Sequence, residues 1–338
     1  MVTIKDLSKM SGYSVTTVSK ALNDYTDISQ KTKDKILKLA ADMAYIPNAS
    51  ARSLITQKSY TIGIIFDEIT GLGLQHPLFS RILESFKSVA ESEGYDIMFL
   101  SNTVNGKDGT YLQHSIRKQV EGVFVLCTDF NSHELVDLYR SKLPMVTLDF
   151  EQSDILNITS NNRTGISQAI QYLYDLGHRK IANIHGSDRT YIGGQRKDIF
   201  LDVMRDIGLE VPPQYMVEGP LFSKEDGYLA MQKLLKLNTL PTAVFAASDM
   251  MAIGAIEAIQ EAGLNVPNDL SVIGFDGIEL GQLIHPRLTT IRQDSRKIGA
   301  IAAHHILEMI DHKARDKQGE TMAIDTYLIT GESTRGLK

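Results

Sequence analysis

The 338-residue sequence has a single cysteine, no tryptophan and only 9 prolines. One thiol excludes an intrachain disulfide framework. Cys127 closes the apolar run GVFVLC, which predicts a buried strand and an inert core thiol. Long hydrophobic runs are also missing: TAVFAA and MMAIGAIEAI are too short or too interrupted to span a bilayer. The opening Met1-Val2-Thr3-Ile4-Lys5-Asp6 has no apolar signal-peptide region, so a cytoplasmic protein without a membrane partner is expected. Signatures of several enzyme classes are lacking too. GSDRTYIGG holds glycines without GxGxxG or GxxxxGK[ST] spacing, and there is no GxSxG elbow and no HExxH. His304, His305 and His312 cluster in AAHHILEMIDH, but neighbouring positions on a helix point apart and zinc needs convergent ligands. No enzyme, metal site or cofactor is expected.

What is present begins with an uneven charge. Residues 1–60 carry nine Lys/Arg and five Asp/Glu, a net +4, whereas the whole chain is −6 and the remainder therefore −10. A basic head on an acidic body places any polyanion at the head. Thr3 and Asp6 have the spacing of a capping box for a first helix. Gly12 suits a tight turn, and Ser14 can cap a second helix that includes VTTVSKAL. Two short helices joined by a Gly-containing turn form the helix-turn-helix pattern. Val18 and Leu22 anchor one side of the second helix. Ser14, Val15, Thr16, Thr17 and Lys20 then face outward, hydroxyls, one apolar contact and one cation, a mixture suited to base edges and phosphates. Ser29 can cap a third helix whose Ile36, Leu39, Ala40 and Met43 share a face. In YIPNASARSLITQKS, Pro47 breaks the helix and Asn48 can cap a helix of under two turns, too short to be stable in isolation. A hinge that orders on a partner is expected, with Leu54 as a wedge between base steps.

From Thr61 onward, short apolar strands (TIGIIF, YDIMFL, GVFVLC, PMVTLDF, then KIANIH, AVFAA, LSVIGF) alternate with amphipathic helices. This pattern predicts an α/β fold of parallel sheets covered on both faces, in two lobes. Ligands of such sheets sit beyond the carboxyl ends of strands, here in a cleft between lobes. Asp67, Asp149, Ser248 and Asp276 each follow a strand. Carboxylates can accept sugar hydroxyls, Arg196 can donate in a fixed fork, and Phe79 and Phe222 can stack on a pyranose face.

The run VTIKDLSKMSGYSVTTVSKALN…ISQKTKDKIL…YIPNASARSL…TIGII, followed by GHRKIANI, FAASDMMAIGAIEAIQEAGLNVPNDLSVIGFD and HPRLTTIRQD, resembles the lactose-repressor (LacI/GalR) family of bacterial transcription regulators over essentially the whole chain. The resemblance implies a helix-turn-helix head at 1–46, a hinge and linker at 47–60, and a periplasmic-binding-protein-like core at 61–338. The core lobes are expected at about 61–160 with 291–320 and about 161–290 with 321–335, giving three crossings near Asn161, Thr290 and Thr321. It implies that Val15, Thr16 and Lys20 read bases, that Ser14, Thr17, Asn23 and Ser29 meet phosphates, and that Leu54 intercalates. Thr3, Asn48 and Ala51 complete the DNA-facing set. The implied effector site is Asp67, Phe79, Asp149, Asn161, Arg196, Phe222, Ser248 and Asp276, where Asn161 replaces a frequent Asp and argues against a purine- or ribose-like ligand. The expected function is a repressor of carbohydrate-use genes, controlled by a small sugar or sugar phosphate. Pseudo-palindromic double-stranded operator DNA requires a homodimer, and the ending TGESTRGLK lacks the leucine heptad of tetrameric relatives. The alternatives are a phosphorylated carrier protein as corepressor, or a sugar-binding protein with no DNA role.

Overall fold

The computed structural model describes residues 2–46, 58–67, 72–104, 106–130, 132–150, 154–188, 190–311 and 319–337. The expected hinge positions Asn48, Ala51 and Leu54 lie outside them, as does His312. The chain divides into two compact units, Met1–Ser59 and Tyr60–Lys338.

In the first unit, α1 (Ile4–Ser11) opens on the expected reciprocal capping box: the Asp6 carboxylate accepts from Thr3 N at 2.9 Å, and Asp6 N donates to Thr3 Oγ1 at 3.4 Å. It ends at Gly12, which takes the left-handed conformation with φ 78°. Ser14 accepts from Thr17 N to start α2 (Val15–Leu22), and Ser29 accepts from Thr32 N to start α3 (Gln30–Asp42). Leu7, Val18, Ala21, Ile36 and Ala40 form the core between the three helices. Each large aliphatic chain buried here contributes about 1.5–3 kcal/mol. With so few of them, a helix cap worth ~1 kcal/mol is a substantial share of the stability.

The second unit contains, in chain order, β1 (Thr61–Phe66), β2 (Asp96–Phe99), a small hairpin of β3 (Thr103–Val104) and β4 (Lys107–Asp108), β5 (Gly122–Leu126), β6 (Met145–Leu148), β7 (Leu156–Ser160), β8 (Ile181–His185), β9 (Met216–Glu218), β10 (Ala243–Ala246), β11 (Ser271–Asp276), β12 (Thr289–Gln293), β13 (Thr321–Ile324) and β14 (Thr326–Ile329). Among the described residues they build two six-stranded sheets, ordered β13-β7-β6-β5-β1-β2 and β14-β12-β11-β10-β8-β9. All neighbours are parallel except β12 and β14. Unbroken burial along β5, β6, β7 and β8 is what a sheet covered on both faces requires. Stacked ring pairs pin a helix to each sheet: Phe86 on Phe124 at 5.0 Å in the first lobe, Phe200 on Phe245 at 5.9 Å in the second. Helices Lys224–Leu234 and Asp249–Glu261 meet at Gly227 and Gly254; a Cβ on Gly254 would lie 1.9 Å from the Lys224 carbonyl oxygen.

Two crossings fall later in the chain than the sequence suggests. β12 keeps residues 289–293 in the second sheet, and β13 keeps 321–324 in the first. The chain therefore changes lobe at about Asn161, Asp294 and Asp325. Each strand runs its full hydrogen-bonded length before leaving its sheet, and periodicity does not mark that point.

Candidate functional site

A cleft of about 440 Å³ opens between the two lobes, within the range of about 300–1,000 Å³ usual for small-molecule sites. It lies at the carboxyl ends of the strands. Asp67 follows β1, Cys127 to Phe130 follow β5, and Asp149 and Phe150 follow β6. Thr190 to Ile192 begin the helix after β8, Leu221 and Phe222 come after β9, Ser248 follows β10, and Asp276 ends β11. Four non-glycine residues on this rim have positive φ: Cys127 at 45°, Asp149 at 56°, Phe222 at 58° and Asp276 at 129°. Such conformations cost on the order of 1–3 kcal/mol each and concentrate where a ligand site fixes the backbone.

Arg196 and Asp276 form the polar centre, each about 5% exposed. Arg196 Nε donates to Asn162 Oδ1 at 3.0 Å and Nη1 to the Ala247 carbonyl at 2.8 Å. Nη1 lies 3.8 Å from Asp276 Oδ1, and the guanidinium sits 4.1 Å over the Phe275 ring. Asp276 also accepts from Gln293 Nε2 at 2.6 Å, and Gln293 Oε1 accepts in turn from Ser160 Oγ at 2.5 Å. Ser160 ends β7 in one lobe and Gln293 ends β12 in the other, so the central carboxylate is bonded directly to one crossing and, through Gln293, linked to a second. Burial pushes the Asp276 carboxyl up to about 6, against the pull of Arg196 and Gln293. Burial likewise raises Asp149, which accepts from Thr159 Oγ1 at 2.6 Å, and lowers Arg196 against the opposing field of Asp276, Asp149 and Asp249. Asp249, fully buried beside Asp276, is pushed up to about 8 by burial and by that neighbour. One cation thus serves three carboxylates.

Of the eight expected effector positions, Asp67, Phe79, Asp149, Arg196, Phe222, Ser248 and Asp276 line this cleft. Phe222 rests on Gly186, where a Cβ would come within 2.0 Å of the ring. Ser248 already caps helix Asp249–Glu261 through Met251 N and donates to the Phe222 carbonyl, so its hydroxyl fixes the phenylalanine loop. Asn161 is not among the lining residues. Its carboxamide caps helix Asn162–Asp175 by accepting from Thr164 N at 3.1 Å, and the crossing holds it there. Cys127 lies outside the core in which it was expected; the positive φ just past β5 turns it to the cleft wall, half-buried. Three aromatic residues outside the expected effector set build one wall: Phe130 stacks on Phe150 at 4.4 Å, and Tyr191 from the other lobe meets Phe150 edge-on at 6.4 Å. Among the described residues no helix is long and apolar enough to cross a membrane, and no group of three or more His, Cys, Asp or Glu could hold a metal ion.

In the head, α2 presents Ser14, Val15 and Thr16 outward, with Val15 42% exposed. Thr17 and Lys20 are partly covered. Lys20 is paired with Asp27. Ser14 Oγ lies 2.9 Å from Thr17 Oγ1, and Ser29 Oγ lies 2.9 Å from Thr32 Oγ1. Thr3 Oγ1 donates to Asp6, and Asn23 Nδ2 donates to the Ser19 carbonyl. Of the expected contact hydroxyls, Thr3, Ser14 and Ser29 first cap their own helices, which fixes where they point.

Residues 3–48 match the family described as bacterial regulatory proteins, lacI family, and residues 170–334 match a periplasmic binding protein-like domain. The probable HTH-type transcriptional repressor ExuR of Bacillus subtilis (strain 168) is 36% identical over 341 residues, covering 100% of this chain and 99% of that protein. The chain belongs to the lacI family. The HTH-type transcriptional repressor PurR of Histophilus somni (strain 129Pt) is also 36% identical, over 345 residues and the full length of both chains. The crystal structure of the lac repressor dimer bound to operator and the anti-inducer ONPF superposes with a TM-score of 0.85 at 26% identity, covering 99% of each chain. As a lacI-family member, this is a DNA-binding regulator of transcription whose core takes a small effector.

Proposed function

We propose that this lacI-family regulator represses carbohydrate-use genes as a homodimer on a pseudo-palindromic operator, released or tightened by a small carbohydrate in the interlobe cleft. Val15, Thr16 and Lys20 read base edges. Ser14, Thr17, Asn23 and Ser29 position the phosphate backbone, Thr3, Asn48 and Ala51 complete the DNA-facing set, and Leu54 opens a base step in the minor groove. The observation that carries the effector half is the convergence of Arg196, Asp276 and Asp149 beside Phe222 and Phe79, polar groups for hydroxyls next to rings for a pyranose face. Asp149 comes from one lobe and Arg196 and Asp276 from the other, so a ligand touching all three favours one lobe arrangement. Any effector with such a preference shifts operator affinity, and the operator shifts effector affinity by the same factor.

The test is a thermal-shift screen of sugars on the full chain, followed by binding to an operator selected from random duplexes, with and without each hit. A sugar that stabilises the core and changes operator affinity supports the reading. A stabilising sugar without effect on operator binding removes the regulatory half.

A further inference from the structure

The charge balance of the cleft carries a further step, which rests on the carbohydrate reading. Asp67, Asp129, Asp149 and Asp276 line it, and Asp249 is buried beside Asp276. Among the described residues no lysine lines the cleft, and Arg196 is the one arginine that does. That arginine is already engaged on both edges. Recognition of a phosphate or carboxylate uses two parallel N–H groups on one edge of the guanidinium. Here Nε is committed to Asn162, and Nη1 to the Ala247 carbonyl with Asp276 alongside. The Nε–Nη2 edge therefore keeps no free pair, and an anion set on the Nη1–Nη2 end would meet Asp276, 3.8 Å from Nη1; the two N–H groups of Nη2 remain for ligand oxygens.

Three helix N-termini reach the cleft, and none gives an anion a better seat; helix Pro77–Ser92 opens on a proline, which has no N–H to offer. Helix Asp249–Glu261 carries Asp249 itself in its first turn, where an anion would otherwise bind. Helix Tyr191–Asp206 is capped by Thr190, whose Oγ1 takes Gly193 N at 3.2 Å. His76 also lines the cleft, with its ring 4.6 Å from that of Phe79.

We infer that the cleft selects an uncharged polyhydroxylated ring, a neutral sugar or simple glycoside, and rejects its phosphorylated and uronic-acid counterparts. Its hydroxyls donate to Asp149 and Asp276, one oxygen accepts from Arg196 Nη2, and its apolar face lies against Phe222 or Phe79.

Calorimetric titration of the full chain tests this with matched series: D-glucose, D-galactose and D-ribose, their terminal phosphates, the two hexuronates, and hypoxanthine as a non-carbohydrate probe. The neutral member of the best-binding series should exceed its anionic partners by at least about tenfold, about 1.4 kcal/mol. The double variant Asp67→Asn with Asp129→Asn, which removes two negative charges at nearly constant shape, should narrow that ratio. Tighter binding of an anionic member would overturn the inference and leave the carbohydrate reading intact. An unchanged ratio in the double variant would also overturn it, because shape and not charge would then discriminate. Hypoxanthine binding with no sugar bound at millimolar concentration would overturn the carbohydrate reading itself.

Discussion

Replacing Arg196 by alanine should damage the core in a way that depends on pH. The side chain is buried, donates to Asn162 Oδ1 and the Ala247 carbonyl, and lies 3.8 Å from Asp276. Alanine preserves the helix and removes all three interactions. Breaking a buried ion pair from one side costs about 3–5 kcal/mol when the other charge stays ionised. Asp276 has an escape, because it can take a proton. Its carboxyl sits at about 6 with Arg196 present, and it moves higher once the guanidinium no longer holds it down. A carboxylate raised above its unfolded value takes up its proton on folding, so stability falls as pH rises through that window. The variant therefore loses stability relative to the parent between pH 6 and pH 8, by up to about 1.4 kcal/mol per pH unit. Denaturant unfolding at both pH values should show a cost of about 3 kcal/mol or more at pH 8 and a clearly smaller one at pH 6. Effector affinity should fall at least about tenfold, since a hydrogen bond to a charged group is worth about 1.5–3 kcal/mol. Operator binding without effector should stay near that of the parent. Equal costs at pH 6 and pH 8 would refute the proton-uptake argument, and full effector affinity would refute the placement of Arg196 at the ligand.

Asp27→Asn frees Lys20 from a solvent-screened surface pair, so head stability should barely change while operator affinity rises in a salt-dependent manner; weaker binding would show that the pair positions Lys20 for DNA. Lys20→Ala should weaken the selected site more than random duplex in gel-shift titrations, and equal losses would reduce Lys20 to a phosphate contact. Leu7→Ala, at a fully buried position, should cost about 2–5 kcal/mol and abolish DNA binding while the thermal transition of the core stays in place; a shifted core transition would contradict the division into two units. Leu54→Ala should reduce operator bending and affinity together, and an unchanged bend angle would remove the wedge.

The parts of the molecule that were legible in the sequence share a cause. Caps and strand ends are local: Thr3 with Asp6, Ser14, Ser29, and the polar residues after β1, β6, β10 and β11 are each set by neighbours a few positions away. Phe130, Phe150 and Tyr191 escaped because nothing local marks them; the wall exists only once β5, β6 and the start of helix Tyr191–Asp206 are brought together from both lobes. Asn161, the one expected effector position not among the cleft-lining residues, shows the ambiguity of such local signals. A polar residue after a strand serves equally well as a helix cap, and here Thr164 N claims it. Gln293 and Asn162, which hold the central ion pair, lie beside the crossings, and their partners are more than a dozen residues away in the chain.

β13 belongs to the first sheet and β14 to the second, with Asp325 alone between them. On its other side the same junction is fastened to the first crossing: Asn161 N donates to the Ile324 carbonyl at 2.7 Å, and Thr326 Oγ1 to the Asn161 carbonyl at 3.1 Å. A leash of one residue forbids sliding, so the lobes can only swing about a line through these connections. It also makes the junction intolerant of insertions and deletions. Strand side chains alternate with a period of two, so one added residue would turn buried Thr326 outward and exposed Tyr327 into the second lobe. Loops far from this seam can lengthen freely over generations, while the seam itself can diversify only by substitution.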